Sequence, residues 1–281
     1  MPARLCSVLL LGSCLLCGCA TGGNPRDPLE PLNRKVFAFN EAVPSWNADT
    51  PAGTWIEVQL RARIGTRWTR WYNMGVWASG SGTVEPHSVS NQKDADGSVA
   101  TDTLILGAKG KPVSAGALQL KVRLFSLTRE VTPRVWGAAV AYSTTPSRPT
   151  AVSQGQRSRW GKSLPVPECS QMVYPDGGIV WCSPTTISMS LLYWKADATG
   201  PCEPRVRSSV AGVYDWLYDG YGNWAFNAAY LGTQGLEAYV TRFTSLTQVE
   251  AWTMSGVPIA ISFAWGRGEL TGAALPSSSG H

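Results

Sequence analysis

A glutamine, a cysteine and a histidine, Gln171, Cys182 and His281, are the residues whose types and order along the chain could do covalent chemistry. A sulfur nucleophile attacks an acyl carbon, an amide N–H steadies the oxyanion that forms, and an imidazole moves the proton. Cys182 lies in the run Gly177-Gly178-Ile179-Val180-Trp181-Cys182-Ser183-Pro184-Thr185-Thr186. Ser183 suits an N-cap and Pro184 the first helical position, and Ile187, Leu191 and Trp194 fall on one helical face. The spacing therefore predicts a helix opening just after Cys182, with the sulfur at the positive end of its macrodipole, where an anion is stabilised. The competing reading is a buried structural thiol, the commoner fate of a lone cysteine. Gln171, set ahead of the turn Tyr174-Pro175-Asp176-Gly177-Gly178, and His281, after an apolar strand-rich region, favour the nucleophile.

Positioning these residues requires a mixed helix and strand scaffold. Val206, Val210, Val213 and Leu217 recur at helical spacing over Arg205 to Tyr218, and Asn223 to Leu231 reads as a second helix closed by Gly232. Ser245-Leu246-Thr247-Gln248 is a capping box whose helix ends at Gly256. Leu236 to Phe243 reads as a strand and Val257 to Trp265 as a buried strand.

Val166-Pro167-Glu168-Cys169-Ser170-Gln171-Met172, then Trp181-Cys182-Ser183-Pro184-Thr185, then Gly280-His281 together resemble the papain-like bacterial cysteine peptidases of family thirty-nine. These are relatives of the domain that clips double-glycine bacteriocin leaders. The resemblance runs from about Pro44 to the last residue and implies Cys182 as nucleophile, Gln171 as oxyanion donor and His281 as general base. It also places the group that orients the histidine on a strand beyond it. The sequence given stops at His281, which implies a domain short of that group and of one core strand, and so a feeble peptidase. With Cys182 free as a nucleophile, Cys169 and Cys202 are left to form a disulfide around its helix; three free thiols is the alternative.

Upstream, period-two alternation dominates from Pro44 to about Thr145. Ile56, Val58, Leu60 and Ala62 alternate with Glu57, Gln59, Arg61 and Arg63, and Leu118, Leu120, Val122 and Leu124 with Gln119, Lys121 and Arg123. With the Gly, Pro and Asp turns between them, these strands predict an antiparallel β-sandwich, jelly-roll-like, over residues 42–145. A Ser, Thr, Pro, Gln and Arg-rich linker over 146–165 and an α+β papain-like domain over 166–281 follow. Trp68, Arg70 and Trp71 on the sandwich could stack on sugar rings, although aromatic residues more often fill or cover a core. His87, in Glu85-Pro86-His87-Ser88, reads as a surface-loop histidine without metal partners.

The chain opens with Arg4 and a short leucine-rich core ending in Leu16-Cys17-Gly18-Cys19-Ala20. Too short to span a membrane, this reads as an export signal over residues 1–18, and it resembles a bacterial lipobox with Cys19 lipidated. Ala20 after the cysteine points to a lipid-anchored protein of the cell envelope, at the outer membrane facing the periplasm. Residues 19–41 form a tether, and the stretch Asp27 to Glu41 resembles the opening of the VacJ/MlaA phospholipid-transport lipoproteins. Physically it is a short amphipathic helix with Leu32, Val36 and Phe39 on one side, and a junction falls near Ala42.

Composition agrees with an exported, loop-rich protein: 44% apolar, 15% charged, with 29 Gly, 19 Pro and 13 Trp. The net charge of +5 is scattered, with no basic run to argue for nucleic acid, and no cofactor or metal is called for. Expected partners are a peptide substrate, a membrane through the anchor, and a cell-wall glycan. Three functions follow: a lipid-anchored cysteine peptidase, a non-catalytic glycan-binding envelope protein, and a phospholipid-transport lipoprotein.

Overall fold

The computed structural model describes residues 36–79, 84–108, 110–145, 155–195, 200–243, 245–269 and 277–278. The export signal, Cys19, the first part of the expected linker (146–154) and His281 lie outside the described residues. In chain order the strands are β1 (Glu41–Asp49), β2 (Thr54–Ile64), β3 (Arg67–Trp68), β4 (Tyr72–Trp77), β5 (Gly97–Ala100), β6 (Thr103–Ala108), β7 (Lys111–Pro112), β8 (Ala117–Ser126) and β9 (Arg134–Ser143). The helices follow as α1 (Cys182–Trp194), α2 (Cys202–Val213), α3 (Trp224–Thr233) and α4 (Leu246–Met254). The fold is α+β, with two antiparallel sheets in a sandwich-like arrangement.

One sheet runs β5-β6-β1-β9, with β7 on β6, and the other is built on β2, which carries β8 along one edge and β4 with β3 along the other. Alternation explains β2: Ile56, Val58, Leu60 and Ala62 are fully buried, while Glu57, Gln59, Arg61 and Arg63 face outward. In β8 the same alternation buries less. Leu118, Leu120 and Val122 are half-buried and Leu124 is exposed, because β8 pairs with β2 alone and forms the edge of its sheet.

Helix α3 packs on β1 of the first sheet, and α1 and α2 pack against α3. Phe226 of α3 meets Trp46 of β1 with ring centroids 6.1 Å apart and Trp77 of β4 at 5.2 Å, and all three are almost fully buried. Asn47 donates its amide to the carbonyls of Ala228 (3.2 Å) and Ala238 (2.9 Å) and accepts from Ala238 N–H (3.2 Å). Gly232 permits this approach, since a β-carbon there would sit 2.9 Å from Asn47 Nδ2. One apolar cluster thus includes residues of both halves, from Ile56 and Leu104 to Ile187, Leu191 and Val213.

Several sequence expectations are corrected. The strand expected over Leu236 to Phe243 does not form a ladder, although β6 pairs with β1 only at Glu41 and Ala42. The segment is held instead by side chains, Asn47 at Ala238 and Ser45 Oγ accepting from Val240 N–H at 3.0 Å. Over Val257 to Trp265 only Val257 is buried; Ile261 and Phe263 are exposed, and Trp265 pairs with Ser278 in an isolated bridge. No strand among the described residues lies alongside to pair with it. Residues 36–38 are not helical, and Phe39 is buried and exchanges hydrogen bonds with Ala115 (3.0 and 2.7 Å). The sheet therefore takes in residues ahead of the junction expected near Ala42. His87 lies in the loop between β4 and β5, where its backbone pairs with Val76 of β4 in an isolated bridge and Nδ1 lies 2.6 Å from the Glu85 carbonyl.

Candidate active site

Cys182 is the first residue of α1, so the helix opens two positions earlier than its sequence suggests. Trp181, not Ser183, occupies the cap position, and Pro184 falls at the third helical position, still within the turn whose N–H groups need no intrahelical partner. Thr185 N–H reaches the Trp181 carbonyl (3.0 Å) to close the first turn. Cys182 is half-buried and is the free cysteine of the described residues. The helix buries Ile187, Leu191 and Leu192, and Ser188 Oγ, bonded to the Pro184 carbonyl (2.7 Å), also meets Ser209 Oγ of α2 (2.9 Å).

Two short 3₁₀ turns precede it, Gln171–Val173 and Gly178–Val180. The Ser170 hydroxyl caps the first by accepting from Met172 N–H. Gln171 Nε2 donates to the Gly178 carbonyl at 2.7 Å, and the same carbonyl accepts from Trp181 N–H at 3.2 Å. The glutamine amide and the residue before the cysteine thus share one acceptor. Primary amides carry two N–H bonds, so this contact uses one of them. A β-carbon at Gly178 would lie 2.0 Å from the Gln171 carbonyl oxygen, and one at Gly177 would lie 2.4 Å from the Trp181 ring. This close approach, rather than backbone freedom, is why both positions are glycine.

Trp181 is almost fully buried in a small cluster with Tyr174 and Val206, against which Tyr221 packs. Arg207 of α2 covers it, its guanidinium 5.1 Å from the Trp181 ring and 5.2 Å from that of Tyr174. Arg207 also pairs with Asp176 in the turn between the two 3₁₀ segments and holds that carboxyl below the usual carboxylate range through the hydrogen bond. Burial pushes the Tyr174 hydroxyl up. Cys169 and Cys202 are joined by a disulfide, which ties the Gln171 segment to the first residue of α2. Disulfide and ion pair join the segment ahead of α1 to α2, and the serine contact joins α2 to α1.

Of the sequence-singled residues, Gln171 and Cys182 are thus brought into one unit through Gly178, while His281 lies outside the described residues. Sequence reasoning missed Arg207 and Asp176, whose only signal is an acidic residue in the turn and an arginine on a helix 31 positions later. It also missed Asp215, fully buried, which accepts from Ser88 N–H (2.9 Å), Leu217 N–H (3.2 Å), Tyr218 N–H (3.1 Å) and Asn223 Nδ2 (2.9 Å). That carboxylate joins the loop after β4 to the start of α3. On the sandwich, Trp68 and Trp71 lie half-buried outside the core, and Arg70 is paired with Asp94 at 2.6 Å over the Tyr72 ring. Among the described residues no group of His, Cys, Asp and Glu could hold a metal, and no helix is long and apolar enough to cross a membrane.

An α+β scaffold with a free cysteine opening a helix and a glutamine clamped just ahead of it has the fold of a cysteine peptidase. Two family models match: the Peptidase C39 N-terminal domain over residues 29–143 and the Peptidase C39-like family over residues 163–281. The two matches lie in order along the chain, so its two parts are each similar to a part of the C39 peptidases. The first match begins at residue 29, ahead of the junction expected near Ala42. No curated protein and no solved structure matches significantly.

Proposed function

We propose that the chain hydrolyses peptide bonds through Cys182, with Gln171 and His281 as its partners. The carrying observation is that Gln171 and the residue preceding Cys182 share the Gly178 carbonyl, which fixes an amide donor relative to the cysteine at the start of α1. The Cys182 thiol passes its proton to His281 and the sulfur attacks the scissile carbonyl carbon, forming a C–S bond as the carbonyl π electrons move onto oxygen. The second N–H of Gln171 and the unpaired backbone N–H at the helix start donate to that oxyanion. Collapse breaks the C–N bond, and the imidazolium of His281 protonates the departing amine. Water, losing its proton to His281, then releases the acid and restores the thiol. His281 takes this role from the family resemblance.

Purified protein is expected to cleave mixed peptides, with Cys182→Ala abolishing turnover. Gln171→Ala should lower kcat by about 10²–10³ with little change in KM, as loss of one oxyanion donor does. Turnover that survives Cys182→Ala would overturn the reading.

The lipobox-like Leu16 to Cys19 supports an exported protein anchored through Cys19 in the cell envelope. Membrane sedimentation should be lost on Cys19→Ala, and its persistence would exclude the anchor.

A further inference from the structure

The outward face of the β2 sheet brings together residues far apart in the chain. Register sets Glu57 beside Arg123, Gln59 beside Lys121 and Arg61 beside Gln119. Glu57 and Arg123 neutralise each other at 3.0 Å. Arg61, Arg63 and Lys121 have no acidic partner within ion-pair distance among the described residues, and Arg61 Nε instead donates to Gln119 Oε1 at 2.7 Å.

These three cations rest on two indoles. The Arg61 guanidinium lies 4.8 Å from the Trp68 ring centroid and 4.5 Å from that of Trp71; Lys121 Nζ is 4.2 Å from Trp71 and Arg63 5.9 Å from Trp68. Like charges on neighbouring strand positions repel, and the ring quadrupoles offset that repulsion while fixing each head group. Arg61 and Arg63, two residues apart on β2, recur about 6.8 Å apart along the strand. The result is a rigid row of positive charge on a flat face, with the Gln119 amide hydrogens available beside it.

We propose that this face binds an acidic polysaccharide, held by Arg61, Arg63 and Lys121. Charge complementarity selects a polyanion, and the arrangement of the indoles selects among polyanions. Single-stranded nucleic acid is held by bases stacking on open aromatic faces; here the rings of Trp68 and Trp71 carry cations. A membrane surface is engaged by protruding aromatic residues, whereas these two are half-buried beneath the charges. A hydrophilic chain with carboxylates at regular intervals needs neither. Arg70, tied to Asp94, is not part of the row. This surface is independent of Cys182 and stands or falls separately from peptide hydrolysis.

The test is binding of the full chain to immobilised polygalacturonate, with dextran as the uncharged polymer. Saturable binding to polygalacturonate alone is expected, weakening steeply with salt. The triple variant Arg61→Gln, Arg63→Gln, Lys121→Gln should lose about tenfold or more in affinity, since each charge-assisted contact is replaced by a neutral one. The matched triple Lys111→Gln, Arg129→Gln, Arg134→Gln, at exposed sites elsewhere, should bind as the parent does. Near-UV circular dichroism checks that the sheet is retained, and the single change Lys121→Glu on the edge strand, expected to weaken binding as well, guards against a triple variant that fails to fold. No binding to polygalacturonate, equal loss in both triples, or tighter patch-dependent binding to an oligonucleotide or to phosphatidylglycerol vesicles would overturn the proposal.

Discussion

The guanidinium of Arg207 lies 5.1 Å from the indole of Trp181, the residue before Cys182. Arg207 also reaches Asp176, so a single side chain on α2 braces both the turn after Gln171 and the residue that enters α1. Lysine is a point charge without a planar fork and cannot reproduce both contacts. Arg207→Lys and Arg207→Ala are each expected to slow iodoacetamide alkylation of Cys182 and to lower kcat, leaving far-UV circular dichroism unchanged. Unaltered alkylation in both would show that Trp181 is held by its other neighbours.

Gly178→Ala places a β-carbon where the Gln171 carbonyl oxygen now sits, 2.0 Å away. The backbone must yield, and overpacking of this kind costs about 1–3 kcal/mol. Because the Gly178 carbonyl is the acceptor shared by Gln171 and Trp181, the variant should lose activity well beyond its loss of stability. Chemical denaturation and peptide turnover measured together distinguish the two; parallel small losses would mean the segment relaxes without disturbing the glutamine.

Phe226, packed on Trp46 and Trp77, joins the helical half to the sheets. Phe226→Ala is expected to cost about 3–5 kcal/mol. Near-UV signal and far-UV signal should shift together in urea, since the cluster includes residues of both halves. Two separated transitions, only one of them moved, would contradict a shared core.

The β2 alternation, the capping box at Ser245 and the glycine that ends α4 were legible in the sequence, because each rests on local spacing. Ser245 Oγ does accept from Gln248 N–H (3.3 Å), and Gly256 adopts φ +80°. The Gln171 and Cys182 unit was legible as residue types but not as geometry, since its clamp depends on Gly178 and on Arg207 from another helix. Leu236 to Phe243 misled because an apolar alternating run signals a strand, whereas here the Asn47 and Ser45 side chains, invisible as partners in the sequence, take up its backbone N–H groups at Ala238 and Val240. The row of Arg61, Arg63 and Lys121 was invisible as a charge run. It exists only through the register of β2 against β8, 58 to 66 residues away in sequence.

Asp102 is buried and accepts from Trp224 N–H at 2.7 Å, capping α3 from the sheet. Burial, the dominant cause, raises its carboxyl above the usual range, against the lowering effect of that hydrogen bond. A raised folded-state value means the folded protein holds the proton more tightly than the unfolded chain. The stability linked to it is fully present below the unfolded aspartate range and is lost as pH rises through the folded value. Asp102→Asn keeps an oxygen acceptor and does not ionise, so its stability relative to the parent should improve as pH rises from about 4 toward 7. Asp102→Ala should cost about 1–2 kcal/mol through loss of the cap. A pH-independent difference between Asp102→Asn and the parent in urea unfolding would show that the carboxyl is not desolvated.

The most direct test of the peptidase reading is trapping of the acyl intermediate. Protein mixed with peptide substrate and quenched in acid within the first turnovers is digested and examined by mass spectrometry. The expected result is a thioester carrying the N-terminal part of the substrate on Cys182, absent from Cys182→Ala and reduced by Gln171→Ala. Peptide cleavage with no adduct on Cys182 would contradict it.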